Sequence, residues 1–375
     1  MTKQLSLLRT AVFASLLMTI TNEVVASETR STYDKIWDYA KLYESENGNY
    51  LNLSGRLQAD LADFEASEGD FEDTLWRRAR FGFKGKYGQT TYHLEADFNL
   101  HSSIPDTYNR LTDAYLSWKL PNQATLKVLK HSAGFTLDGK TSSKRLLTAQ
   151  RNNLTNNLWF TGEYFTGVSL SGPINEQWSF NSGVFSSDPS DEVGFSNASY
   201  FGLLSLARAF AAGGYWDNGD IRLDYVYNDT HEDQNTRDFS QVVSLNSRLQ
   251  KQQWGLSTDL AYGNGDMGQQ DVWGLVVMPH YQLNDMIQWV VRYTYLDSKG
   301  PGGIRLGRYE NEIVGGRGDR YNEFYGGVNL FLYGHKAKVQ LGAQYTTMEN
   351  SGDSPDNRSN EYDGWGVTLA LRTYW

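Results

Sequence analysis

From Tyr50 to the C-terminus, apolar residues fall on alternate positions. Leu51, Leu53, Leu57, Ala59 and Leu61 share one face of the first run, while Asn52, Ser54, Arg56, Gln58 and Asp60 share the other. Successive side chains point to opposite sides of a strand, so this is one apolar and one polar face. The run at 73–87 sets Ala79, Phe81 and Phe83 against Arg78, Arg80 and Lys84. At 89–101, Tyr92, Leu94, Ala96, Phe98 and Leu100 oppose His93, Glu95, Asp97 and Asn99. At 108–120, Ala114, Leu116 and Trp118 oppose Asp113, Tyr115, Ser117 and Lys119. Similar runs recur at 123–130, 158–172, 175–188, 199–212, 220–230, 239–250, 253–264, 271–283, 286–298, 320–333, 337–349 and 362–375, which makes sixteen predicted strands. The least regular is 199–212, where Leu203 to Phe210 is nearly helical in composition. The last places Trp365, Val367, Leu369, Leu371 and Trp375 on one face and Gly364, Gly366, Thr368, Ala370 and Arg372 on the other.

The length of these runs and the aromatic residues near their ends suit membrane strands, which need about 9–11 tilted residues between aromatic girdles. In hydrocarbon every strand N–H and C=O needs a strand partner, so a spanning sheet keeps no edge. The pattern therefore predicts an all-β fold, a 16-stranded antiparallel transmembrane β-barrel with lipid outside and water within. Short turns such as Tyr87-Gly88-Gln89 alternate with longer polar links at 65–72, 187–198, 299–319 and 350–361. Residues 1–26 read as a secretory signal peptide: Lys3 and Arg9 are basic, Ala11 to Ile20 is apolar, and Val24-Val25-Ala26 offers a cleavage site. Residues 27–49 read as a periplasmic lead-in and 50–375 as the barrel. The terminal aromatic, Trp375, resembles the signature that the barrel-assembly machinery of bacteria reads, which places the protein in the bacterial cell outer membrane.

Composition narrows the function classes. The chain has 375 residues, no cysteine and a formal net charge of −10, which argues against nucleic acid as a partner. No mature segment approaches the run of about 18 apolar residues of a membrane helix. The histidines at 93, 101, 131, 231, 280 and 335 are scattered, and no HExxH or GxSxG motif occurs, so neither an enzyme nor a metal or cofactor site is expected. Asp188, Asp191 and Glu192 suit solvated loop charge better than a calcium site.

The stretch 131–157 lacks alternation and is the longest such link. Loops of this length are usually functional or disordered. It carries Lys140, Lys144, Arg145 and Arg151 beside Thr141, Ser142 and Ser143, with Asp138 its only acid. Cations mixed with hydroxyl donors suit an oxyanion. Parity also sends Arg56, Arg78, Arg80, Lys84, Arg222, Arg292 and Arg372 into the lumen, but Asp60, Glu95, Asp97, Asp224 and Asp259 accompany them. Basic rings favour anions, and a mixed wall favours none.

The runs GRLQADLADF, RRARFGFKG, DAYLSW and KTSSKRLLTAQRN, in this order and spacing, resemble the phosphate-selective porins of the porin O/P family. The resemblance implies an outer-membrane barrel, usually a homotrimer, whose third loop folds inward and narrows the pore. It places Asp113 in the family's aspartate role, Lys140, Ser142 and Ser143 in the loop lysine and serine roles, and Arg151 in the arginine role. By strand parity rather than by the resemblance, Arg56, Arg78, Arg80 and Lys84 would line the pore. Gln150 stands where the family often has Glu, and His93 where a lysine can face the site; a neutral imidazole weakens anion binding. The implied partners are small anionic solutes, outer-membrane lipid and lipopolysaccharide. Two other readings stay open: a general mixed-charge porin without phosphate selectivity, and a non-conducting barrel serving as surface scaffold or receptor.

Overall fold

The computed structural model describes residues 34–159, 162–210, 214–352 and 360–375. The expected signal peptide, 1–26, and the start of the lead-in lie outside the described residues. Residues 34–38 form one helical turn, and a short strand follows at Lys41–Glu44.

Sixteen strands then run in order: β1 Tyr50–Ala66, β2 Gly69–Tyr87, β3 Thr90–Phe98, β4 Tyr108–Lys119, β5 Thr125–Ser132, β6 Tyr164–Pro173, β7 Trp178–Ser186 and β8 Tyr200–Phe210, followed by β9 Asn218–Asn228, β10 Phe239–Lys251, β11 Trp254–Gly265, β12 Val272–Gln282, β13 Ile287–Ser298, β14 Arg320–Tyr333, β15 Ala337–Glu349 and β16 Tyr362–Tyr374. Each pairs antiparallel with the next, and β16 returns to β1 with Leu369 opposite Leu61, so the ring closes. The seam is completed by the terminal residue: the N–H and C=O of Trp375 bond the backbone of Gly55. The Trp375 indole lies over Gly55, where a Cβ would meet the ring at 2.4 Å. The irregular 199–212 run is a strand, because the ladders of β7 and β9 both require it.

Parity holds in β16. Trp365 and Leu371 are 63% and 45% exposed on the outer face, whereas Gly364, Gly366, Ala370 and Arg372 are buried inside. The apolar outer face is what hydrocarbon would cover. Three local features differ from the regular pattern. The link expected at 65–72 is only a turn at Ser67-Glu68, since β1 and β2 continue past it. In β2 the register slips between Gln58 and Ala59, which face Arg78 and Trp76. This β-bulge leaves Arg77 without a partner on β1. The third difference lies within: part of the lumen is dry, with Phe185, Phe201, Val226, Val242, Val276 and Leu296 packing on Phe135, Leu137, Leu154 and Leu158 of the third loop.

The third loop, 133–163, folds inward. Its helix α1, Asn153–Leu158, starts at Asn152, whose side chain accepts the Thr155 N–H. This is a standard N-cap. The seventh loop, 299–319, also turns inward. Ile304–Arg305 pairs with Arg317–Gly318, and a second short helix, α2, spans Glu310–Ile313. Asn153 and Asn157 hold the Arg305 backbone, so the seventh loop rests on α1.

Candidate functional site

The third loop is tied to the barrel wall by its own carbonyls and amides. Inward side chains of six strands supply the other halves. Arg292 donates to Thr148 Oγ1 and the Gln150 carbonyl, Asn329 to the Leu147 carbonyl, Lys338 to the Leu146 carbonyl and Arg372 to the Ala149 carbonyl. Across the lumen, Asp224 accepts the Thr136 N–H and Asp259 the Leu137 N–H. A loop inside a barrel must satisfy its backbone this way, because strand neighbours are unavailable. Much of the lumen's charge therefore holds the loop in place.

The predicted site residues divide into groups. Arg56 donates to Ser143 Oγ at 2.9 Å and pairs with Glu95 at 2.7 Å. Ser143 also accepts from Gln58, while Ser142 is exposed. Arg151 stacks over Trp159, donates to the Asp138 and Thr141 carbonyls and pairs with Glu163 at 3.2 Å. Glu163 lies 3.8 Å from Arg80, which also meets Asp97 at 3.4 Å and the Tyr164 hydroxyl at 2.6 Å. Arg151 and neighbouring arginines hold the Glu163 carboxyl well below the usual range despite its burial. Lys140 stands apart from this group, 3.6 Å from Asp220. Asp113 lies 3.7 Å from His93. Arg56, Arg80 and Arg151 thus form a belt of ion pairs with Glu95, Asp97 and Glu163.

A second set of arginines is placed differently. A cavity of about 360 Å³ lies between the third and seventh loops, lined by Arg77, Arg78, Arg151, Arg237, Arg305 and Arg308, with Glu312 the single carboxylate. Apart from Arg151, none of these arginines has a carboxylate within 4 Å among the described residues. Arg78 donates to Gln58, Arg77 reaches Gln150 at 3.4 Å, and Arg237 donates to the Asn156 carbonyl. Arg237 Nε is buried without a hydrogen-bond partner. The β2 bulge explains Arg77: two successive arginines reach the lumen where strict alternation would turn one outward. The sequence carried a sign of this, because the outward aromatic positions switch from even at Trp76 to odd at Phe81.

A second cluster sits toward the short-turn end. Lys144 lies over the Tyr374 ring and Lys127 over Tyr115, at 5.0 Å and 4.4 Å. Lys84 is opposite His93 in the β2–β3 ladder. Burial pushes the Lys144 amine down to about 8, helped by Arg56, while Glu95 opposes the shift. Lys140 is likewise pushed down to about 8, by burial and then by Arg222 and Arg248.

The seventh loop has its own anchors. Tyr309 donates to Asp60 at 2.5 Å and packs between Phe64 and Phe71. Glu310 is buried and accepts from Gln344 and Thr346. Burial, with Glu323 adding repulsion, pushes the Glu310 carboxyl up to about 7. A carboxyl so raised holds an extra proton in the docked state, so docking weakens as pH rises from about 4.5 through about 7. The expected loss is on the order of 3 kcal/mol. Amide exchange at 304–314 should therefore be slower at pH 5 than at pH 8 after correction for the intrinsic rate. Glu310→Gln should remove that difference; an unchanged difference would assign it elsewhere.

The sequence matches the model of the family described as phosphate-selective porin O and P over residues 51–373. No curated protein matches it significantly. Among solved structures, OmpF of Salmonella typhi in complex with daunomycin superposes with a TM-score of 0.63 at 12% identity, covering 89% of this chain and 100% of that one. The anion-selective porin of Comamonas acidovorans gives 0.60 at 12%, covering 88% and 100%. OprB of Pseudomonas putida gives 0.59 at 11%, covering 92% and 96%. These likenesses reach only the fold, whereas the family match spans nearly the whole barrel. The closed ring, the inward third loop and that match together mean that the chain belongs to the phosphate-selective porin O and P family and is an outer-membrane porin.

Proposed function

We propose that this porin passes small anions by passive diffusion, with the arginine cavity as its selective element. The observation that carries the reading is the imbalance there: six arginines line the cavity with one carboxylate. Elsewhere the acids are engaged, as in Arg372–Asp60, Arg292–Glu323 and Arg222–Asp224. Paired charges cancel beyond a few ångströms, so the unpaired arginines set the field an ion meets. Phosphate binding at Lys140, Ser142, Ser143, Arg151 and Asp113 is the finer proposal. It requires the ion to displace Glu163 from Arg151 and Asp220 from Lys140. Export with loss of 1–26 and assembly as a homotrimer belong to the same proposal. The belt around Arg56, Arg80 and Arg151 favours a second reading, a general mixed-charge porin.

The zero-current potential of the purified protein in a potassium chloride gradient separates the two. Anion preference supports the proposal, and a cation-preferring or null potential rejects it. The preference should also depend on pH. Lys140 and Lys144 are charged at pH 7 and lose charge as pH rises through about 8. Anion preference should fall between pH 7 and pH 9 as these two amines lose their protons. Lys144→Gln should flatten that slope; a steeper fall in this variant would count against the assignment.

A further inference from the structure

We infer that the cavity under the seventh loop is a binding site for phosphorylated sugars or polyols, which deepens the anion-porin reading and rests on it. The seventh loop supplies two of its arginines, Arg305 and Arg308, facing Arg77 and Arg78 from the rigid β2 bulge. The Arg305 backbone is pinned to α1 by Asn153 and Asn157, which fixes the point from which its side chain leaves the loop. Guanidinium forks bind phosphoryl oxygens in pairs, which gives both charge and direction.

The size and the remaining lining name the rest of the ligand. A volume of about 360 Å³ exceeds what a lone phosphate fills. At about 30 Å³ per water molecule, it holds on the order of ten waters, and covalently bonded atoms pack closer together than separate waters do. Asn156 and Asn311 add amides to the wall, and Leu146, Ala149 and Leu306 add a small apolar surface. Amides exchange hydrogen bonds with hydroxyls, and C–H faces of a sugar ring suit the apolar part. A bare phosphate would use the arginines and leave the amides and the apolar surface in contact with water. The orphaned Nε of Arg237 offers one more donor.

The test is block of potassium chloride current in planar bilayers by glucose 6-phosphate, inorganic phosphate and glucose. Glucose 6-phosphate should half-block the wild-type channel at a concentration at least tenfold below that of phosphate, and glucose should not block. Arg305→Gln with Arg308→Gln should raise the half-blocking concentrations of glucose 6-phosphate and of phosphate at least tenfold, because both use the arginines. Arg77→Gln, on a strand and not on a loop, should act in the same direction, which controls for loss of the seventh loop's order. Equal block by both phosphates, or no response in either variant, overturns the inference. An anion-selective wild type with that outcome would leave the porin reading standing, whereas a cation-selective wild type would overturn both.

Discussion

Replacing Arg77 and Arg78 with glutamate is expected to turn an anion-preferring channel into a cation-preferring one. The double substitution changes the cavity by four charges and leaves the belt of ion pairs untouched. Unit charges 4 Å apart interact by roughly 1 kcal/mol in water and about 4 kcal/mol at an effective dielectric of 20. A change of several such terms should move the permeability ratio by more than tenfold and reverse the zero-current potential. Neither residue is deeply committed to the fold. Each makes one side-chain hydrogen bond to a glutamine, Gln150 or Gln58, worth about 1 kcal/mol. A folded variant whose potential keeps its sign would move the selective element out of this cavity.

The largest stability effect is expected at Glu323. Its carboxylate meets Arg292 Nε at 2.8 Å, and the two side chains are 3% and 1% exposed. Arg292 also holds the third loop through Thr148 and Gln150, and lies over the Tyr325 ring. Glu323→Leu leaves a buried guanidinium without its counter-charge, which costs about 3–5 kcal/mol. Removing both charges together is milder, because no buried charge is left unpaired. The double variant Arg292→Leu/Glu323→Leu should therefore melt above the single variant Glu323→Leu, measured as loss of β-sheet circular dichroism in detergent. Equal melting temperatures would mean that the pair is not energetically coupled. The double variant should also show noisier current, since losing Arg292 removes its bonds to Thr148 and Gln150 of the third loop.

Much of the barrel was legible because lipid and water impose a period of two. Trp365, Leu369 and Leu371 mark the outer face of β16 without any knowledge of its neighbours. Even the helical composition of Leu203 to Phe210 yields to the ladder on both sides. The bulge was half legible, since Trp76 and Phe81 have opposite parity, yet only the β1 register shows that Arg77 turns inward. The balance of charge was not legible. Arg56 and Glu95 are 39 residues apart, and Tyr309 and Asp60 are 249 apart. Pairs of that separation depend on which strands meet and at which height, which alternation alone does not fix.

The seventh loop was hidden for a related reason. Its glycines and charges read as an exposed link, whereas Ile304, Leu306, Tyr309 and Val314 are buried. Those apolar residues carry the loop inward, and Arg305 and Arg308 travel with them. The third loop shows the converse. Its cations and hydroxyls were plain in KTSSKRLLTAQRN, but Ser143 and Arg151 are occupied by protein partners. A residue's type announces what it is able to bind; the fold decides whether that capacity is already used.

Anomalous diffraction from crystals soaked in bromide would show where anions reside in the lumen. Bromide should lie between Arg77, Arg78, Arg305 and Arg308, with weaker sites near Lys84 and Lys144. Bromide confined to Arg56, Arg80 and Arg151, or absent from the lumen, would contradict it.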